Sequence, residues 1–133
     1  MPHELGLAGH SDADVVAHAL IDALLGAGGL TDIGALFPDT DAAYAGADSI
    51  GLLGEVVARL AAAGWRVGNA DVVVICESPR LAPYREAMRA RLASVLGVPA
   101  DAVGVKATTT EGMGFTGQGE GIAAQAVCLL ERS

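Results

Sequence analysis

The sequence predicts an α/β (α+β) chain in which helices cover one face of a small β-sheet. Three observations carry this. Three stretches with helical spacing of apolar residues accompany two β-branched runs of strand length. Half of the residues (52%) are hydrophobic and only 4% aromatic, so the core is built from Ala, Val, Leu and Ile. No repeat, linker or low-complexity tract divides the 133 residues, a length that suits one domain.

The first helix is expected from Asp12 to about Leu25. Ser11 serves as its cap, Asp12 and Asp14 face its positive end, and Gly26, Gly28 and Gly29 stop it. A second runs from about Ser49 to Ala63 behind Asp48, with Leu52, Leu53, Val56, Val57 and Leu60 as its buried stripe and Gly64 at its end. The third, from about Ala82 to Leu96, starts beside Pro83, buries Tyr84, Met88, Leu92 and Val95, and closes at Gly97; its other face, with Arg85, Glu86 and Arg89, is expected in solvent. Strands are expected at Asp71 to Ser78 and at Val103 to Thr109. The apolar run from Gly121 to Leu130 fits helix or strand on local pattern.

Sixteen acidic against eight basic residues give a net charge of -8, the wrong sign for gripping a phosphate backbone, so nucleic acid is excluded as a partner. No apolar stretch approaches the roughly 20 residues that cross a bilayer, and no signal-peptide pattern opens the chain, so a membrane is excluded too and a cytoplasmic protein is expected. Cys76 and Cys128 sit in apolar runs and read as packing residues.

Asp14, His18 and Asp22 are spaced four apart and share one stripe of the first helix, with His10 and Ser11 just ahead. The stripe suits a metal or phosphate site, and equally a surface histidine flanked by carboxylates. Asp32, Asp39 and Asp41 lie around Gly34 and Pro38, where a turn can present carboxylates to sugar hydroxyls or a cation, or can simply be a turn. Thr108, Thr109, Thr110 and Glu111 place hydroxyls and a carboxylate at a strand end, suited to phosphate and Mg²⁺, although threonine also favours strands on its own account. Gly112 to Gly117 spell a dinucleotide fingerprint, but so near the chain end that the match is accidental.

Taken in order, Gly9 to Ala27, Thr31 to Asp41, Gly46 to Ser49, Val67 to Pro83 and Val105 to Val127 resemble the 2-C-methyl-D-erythritol 2,4-cyclodiphosphate synthase family over nearly the whole chain. The resemblance implies a mixed sheet, a strand for the ambiguous tail, and a homotrimer with active sites between neighbouring subunits. It implies conversion of a cytidine diphosphate substrate, 4-diphosphocytidyl-2-C-methyl-D-erythritol 2-phosphate, to the cyclic diphosphate and CMP.

Residue by residue, the resemblance makes His18 a zinc ligand and Glu111 the carboxylate holding Mg²⁺ or Mn²⁺ against the diphosphate. His10 and Thr109 match residues that position phosphates and stabilise the transition state, with Ser11 and Thr110 beside them. Asp32, Ile33 and Gly34 match the methylerythritol pocket, and Phe37, Pro38, Asp39, Thr40 and Asp41 its flanking loop. Cys76, Glu77, Ser78, Pro79, Arg80, Leu81 and Ala82, with Thr108, match the cytosine wall. Phe115 and Gln118 complete the substrate set, Gln118 standing where members commonly have an arginine.

Family members carry two further zinc ligands in an Asp-x-His strand ahead of a hairpin, and Met1-Pro2-His3-Glu4 resembles the run just after that hairpin. An incomplete zinc site and low turnover are therefore expected of residues 1–133 alone. The alternative function is a metal-deficient, non-enzymatic nucleotide- or phosphate-binding trimer.

Overall fold

The computed structural model describes residues 2–30, 49–75, 85–108 and 123–133, with side chains from Asp14 onward. Helix α1 spans Pro2–Ala27, α2 Ser49–Ala62 and α3 Arg85–Leu96. Strand β1 spans Trp65–Ile75, β2 Val103–Thr108, behind a short 3-10 turn at Ala100–Ala102, and β3 Ala123–Arg132.

Helix α1 starts nine residues ahead of the predicted Ser11 cap, so Ser11 lies inside the helix and does not cap it. Proline is tolerated in a first turn, where its missing N–H has no partner to lose, and Glu4, Leu5, Leu7 and Ala8 are good helix formers that carry the helix across Gly6 and Gly9. At the other end, the Leu30 amide donates to the Leu25 carbonyl (2.9 Å) and the Gly29 amide to that of Gly26 (3.2 Å), with Gly29 at φ 71°. This is the paired-bond ending that favours glycine, and Leu30 packs on the core as its apolar follower. Helix α3 ends similarly: the Gly97 and Val98 amides both donate to Ala93, and Gly97 has φ 77°.

The tail is a strand, and the sheet is mixed, in the order β2-β1-β3: β1 runs parallel to β2 and antiparallel to β3. Strand β1 begins six residues before the predicted start at Asp71 because a bulge hides its period. Between Val67 and Asn69 the register against β3 slips by one residue, so Gly68 is extra and the buried positions fall at 67, 70, 72 and 74. The slip restores the inward face, where Val67 opposes Leu130, Ala70 opposes Cys128, Val72 opposes Ala126 and Val74 opposes Ala124.

Among the described residues, the helices cover that inward face alone. Val16, Leu20, Ile21 and Leu24 of α1, Leu53, Val56 and Leu60 of α2, and Leu92 of α3 are essentially sealed against Val72, Val74 and Val103. The opposite face carries the Asp71–Lys106 and Arg66–Glu131 ion pairs, and on β3 it exposes Val127 (71%) and Leu129 (51%). Among the described residues no helix is long and apolar enough to cross a membrane.

One expected solvent-facing residue is not free. The Arg89 side chain is only 30% exposed, and its Nε donates to the Val103 carbonyl at 2.8 Å while Nη1 reaches Glu86 at 3.2 Å. The Arg89 head thus ties α3 to the first residue of β2.

Candidate functional site

Parallel neighbours β1 and β2 finish level, with Ile75 beside Thr108, and β3 enters at the same end, with Ala123 opposite Ile75. The segments beginning at residues 76 and 109, and the one ending at residue 122, are therefore all tethered to one end of the sheet. The carboxyl ends of parallel strands are where α/β sheets collect ligands, because backbone and side-chain donors from separate segments converge there.

Helix α1 runs away from that end, so its N-terminal part lies toward it. Its C-terminal Gly28 lies against Leu60 and Leu130, at the far end of β3, and the helix packs along β3. With a rise of about 1.5 Å per residue, His18 sits roughly 15 Å back from Gly28 toward the ligand end of the sheet.

His18 is half-buried on the flank of the stripe formed by Val16, Ala17, Leu20 and Ile21. Its Nδ1 lies 2.9 Å from the Asp14 carbonyl and 3.7 Å from Asp14 Oδ1. A carbonyl only accepts, so Nδ1 carries a proton, and in the neutral ring the lone pair then falls on Nε2. That is the form in which an imidazole ligates zinc, with its second nitrogen anchored by a backbone or carboxylate oxygen. The donor thus fits the implied metal, although no group of three or more metal-ligating side chains occurs among the described residues. Asp22, the third member of the stripe, is exposed and makes no contact with His18 that would join it to the pair.

Thr108 is the last residue of β2 and is exposed. His10 and Ser11 lie on α1 with side chains outside the described set. Asp32, Ile33, Gly34, Phe37, Pro38, Asp39, Thr40 and Asp41 lie outside the described residues, as do Cys76 to Ala82, Thr109, Thr110, Glu111, Phe115 and Gln118. Cys128 is half-buried against the core and burial pushes its thiol pKa up, which suits a packing role.

An open groove of about 850 Å³ runs beside the start of β2, lined by Asp71, Arg85, Glu86, Arg89, Asp101 and Lys106. It lies at the opposite end of β2 from Thr108, and Asp71 pairs with Lys106 and Glu86 with Arg89. Its charges therefore largely neutralise one another.

The YgbB family profile matches residues 1–131. A protein of Rubrobacter xylanophilus named 2-C-methyl-D-erythritol 2,4-cyclodiphosphate synthase is 62% identical over 133 residues, covering 100% of this chain and 80% of the relative. The chain belongs to the 2-C-methyl-D-erythritol 2,4-cyclodiphosphate synthase family. A second synthase, of Thiobacillus denitrificans, is 60% identical over 132 residues, 99% of this chain and 82% of its own. The fold agrees with solved synthase-family structures. The bifunctional IspDF of Campylobacter jejuni matches with TM-score 0.84 and 42% identity over 94% of this chain and 34% of its own. The Plasmodium falciparum IspF in a CDP complex matches with TM-score 0.77 and 28% identity over 90% of this chain and 71% of its own.

Proposed function

We infer that the chain closes 4-diphosphocytidyl-2-C-methyl-D-erythritol 2-phosphate into 2-C-methyl-D-erythritol 2,4-cyclodiphosphate with release of CMP. This is a phosphorus–oxygen lyase step in isoprenoid-precursor synthesis by the methylerythritol phosphate pathway. The observation that carries the inference is 62% identity to a synthase over all 133 residues.

The chemistry is an exchange of bonds at one phosphorus. An oxygen of the 2-phosphate bonds to the β-phosphorus, the bond from that phosphorus to the CMP oxygen breaks, and CMP leaves with the electron pair. The attacking phosphate is already anionic, so the protein must align the groups and offset their charge rather than remove a proton. Zinc and Mg²⁺ or Mn²⁺, when bound, supply that positive charge.

His18 would hold zinc through Nε2, a role supported by the anchored Nδ1–H, and Glu111 would hold the second ion. His10, Ser11 and Thr109 would position the phosphates, Asp32 and Gly34 the methylerythritol, and Cys76 to Ala82 with Thr108 the cytosine. The common end of β1, β2 and β3 supports bringing these segments together. The protein is read as a cytoplasmic homotrimer with shared sites, and the exposed Val127 and Leu129 on the uncovered sheet face support that assembly.

Calorimetry with CMP and AMP tests the nucleotide site. CMP is expected to bind at least tenfold more tightly, a difference of about 1.4 kcal/mol. Equal affinity, or no binding of either, removes the cytosine assignment.

A further inference from the structure

We propose that Asp14 is the positioning residue of His18: its carboxylate joins its carbonyl in holding the Nδ1–H, so that Nε2 is presented with a free lone pair. This rests on the reading of His18 as a zinc ligand and adds a residue to it.

The geometry begins with a shared acceptor. In an α-helix the Asp14 carbonyl already accepts the amide of residue 18, and here it also takes the ring Nδ1–H at 2.9 Å. One oxygen serving two donors holds each less firmly. The second acceptor on the same side is Asp14 Oδ1, 3.7 Å from Nδ1, beyond a direct hydrogen bond but inside ion-pair range. At that distance the carboxylate favours a proton on the facing nitrogen and disfavours the tautomer that would turn a lone pair toward it.

The same oxygen is out of place if Asp14 only serves the fold. Asp14 Oδ1 is buried and has no hydrogen-bond partner among the described residues. Leaving a buried carboxylate oxygen unbonded is destabilising, and Asp is a poorer helix former than Ala inside a helix. Asp22 offers the same chemistry one turn beyond His18 but is exposed, so it provides an internal control.

The test uses the full chain labelled with ¹⁵N-histidine, freed of metal and held at alkaline pH where imidazole is neutral. Long-range ¹H–¹⁵N spectra, with His18→Gln to assign the signals, read the tautomer. The wild type is expected to show Nδ1–H. Asp14→Ala is expected to give a mixture of tautomers, Asp14→Asn to restore Nδ1–H through its amide oxygen, and Asp22→Ala to change nothing. Asp14→Ala should also raise the thermal midpoint, which a structural role would lower, and weaken zinc binding about 10- to 100-fold in chelator competition.

An unchanged tautomer in Asp14→Ala, or a lowered midpoint, overturns the proposal. If the tautomer depends on Asp14 while zinc affinity is the same in the wild type and in His18→Gln, the zinc reading of His18 fails and the positioning role stands.

Discussion

Arg89 and His18 both differ from a simple helix-face residue because of what the backbone offers them. The Arg89 Nε bond to the Val103 carbonyl is charge-assisted and partly sheltered, whereas its contact with Glu86 lies in solvent, Glu86 being 79% exposed. Replacing Arg89 by Met should lower stability in urea by about 1–2 kcal/mol, while Glu86→Gln should change it by no more than about 0.5 kcal/mol. Equal effects would mean that the surface pair, not the carbonyl bond, matters. The i, i+4 spacing made the Asp14–His18 pair legible in the sequence, since that spacing brings side chains together on any helix. It could not reveal that the ring turns back onto the Asp14 carbonyl, because that depends on a side-chain rotamer. Arg89 was less legible for a related reason: helical period assigns a direction to a side chain, and a stem this long can leave that direction.

At the level of elements, α2, α3 and β2 were legible because their stops are local. Gly97 follows the last apolar position of α3 and takes the left-handed conformation that a side chain resists. Gly54, inside α2, differs: among the described residues a methyl group there would meet only Val95 Cγ1, at an ordinary 3.8 Å. Gly97→Ala should therefore destabilise the protein by about 1 kcal/mol and Gly54→Ala stabilise it by roughly 0.5–1 kcal/mol. Thermal or urea unfolding of the two variants decides this, and a shared sign would contradict it. The early part of β1 was hidden because the extra residue at Gly68 breaks two-residue alternation, and β3 because alanine suits helix as well as strand. Both are fixed by pairing with each other, a long-range fact that no window of sequence contains. The N-terminal half of α1 went unseen because Ser11 has the chemistry of a cap without being in the place of one.

For the whole molecule, the proposed trimer would use the sheet face that the described helices leave open. The uncovered face combines paired charges with the exposed side chains of Val127 and Leu129, an arrangement suited to contact between copies. Light scattering should give a trimer mass for the wild type and a smaller species for Val127→Lys; a wild-type monomer, or an unaffected trimer in the variant, would count against that face. The family was legible from motif order, since five segments lie at the right intervals although each is modest alone. The most direct test of the function is CMP release from 4-diphosphocytidyl-2-C-methyl-D-erythritol 2-phosphate, measured with zinc and Mg²⁺ present and protein in excess so that slow turnover registers. The expected result is CMP and 2-C-methyl-D-erythritol 2,4-cyclodiphosphate in equal amounts, with the rate falling about 100-fold or more in His18→Gln, as loss of metal-borne charge requires. Folded, zinc-loaded protein that binds CDP yet releases no CMP would contradict the assignment and leave a nucleotide-binding protein in its place.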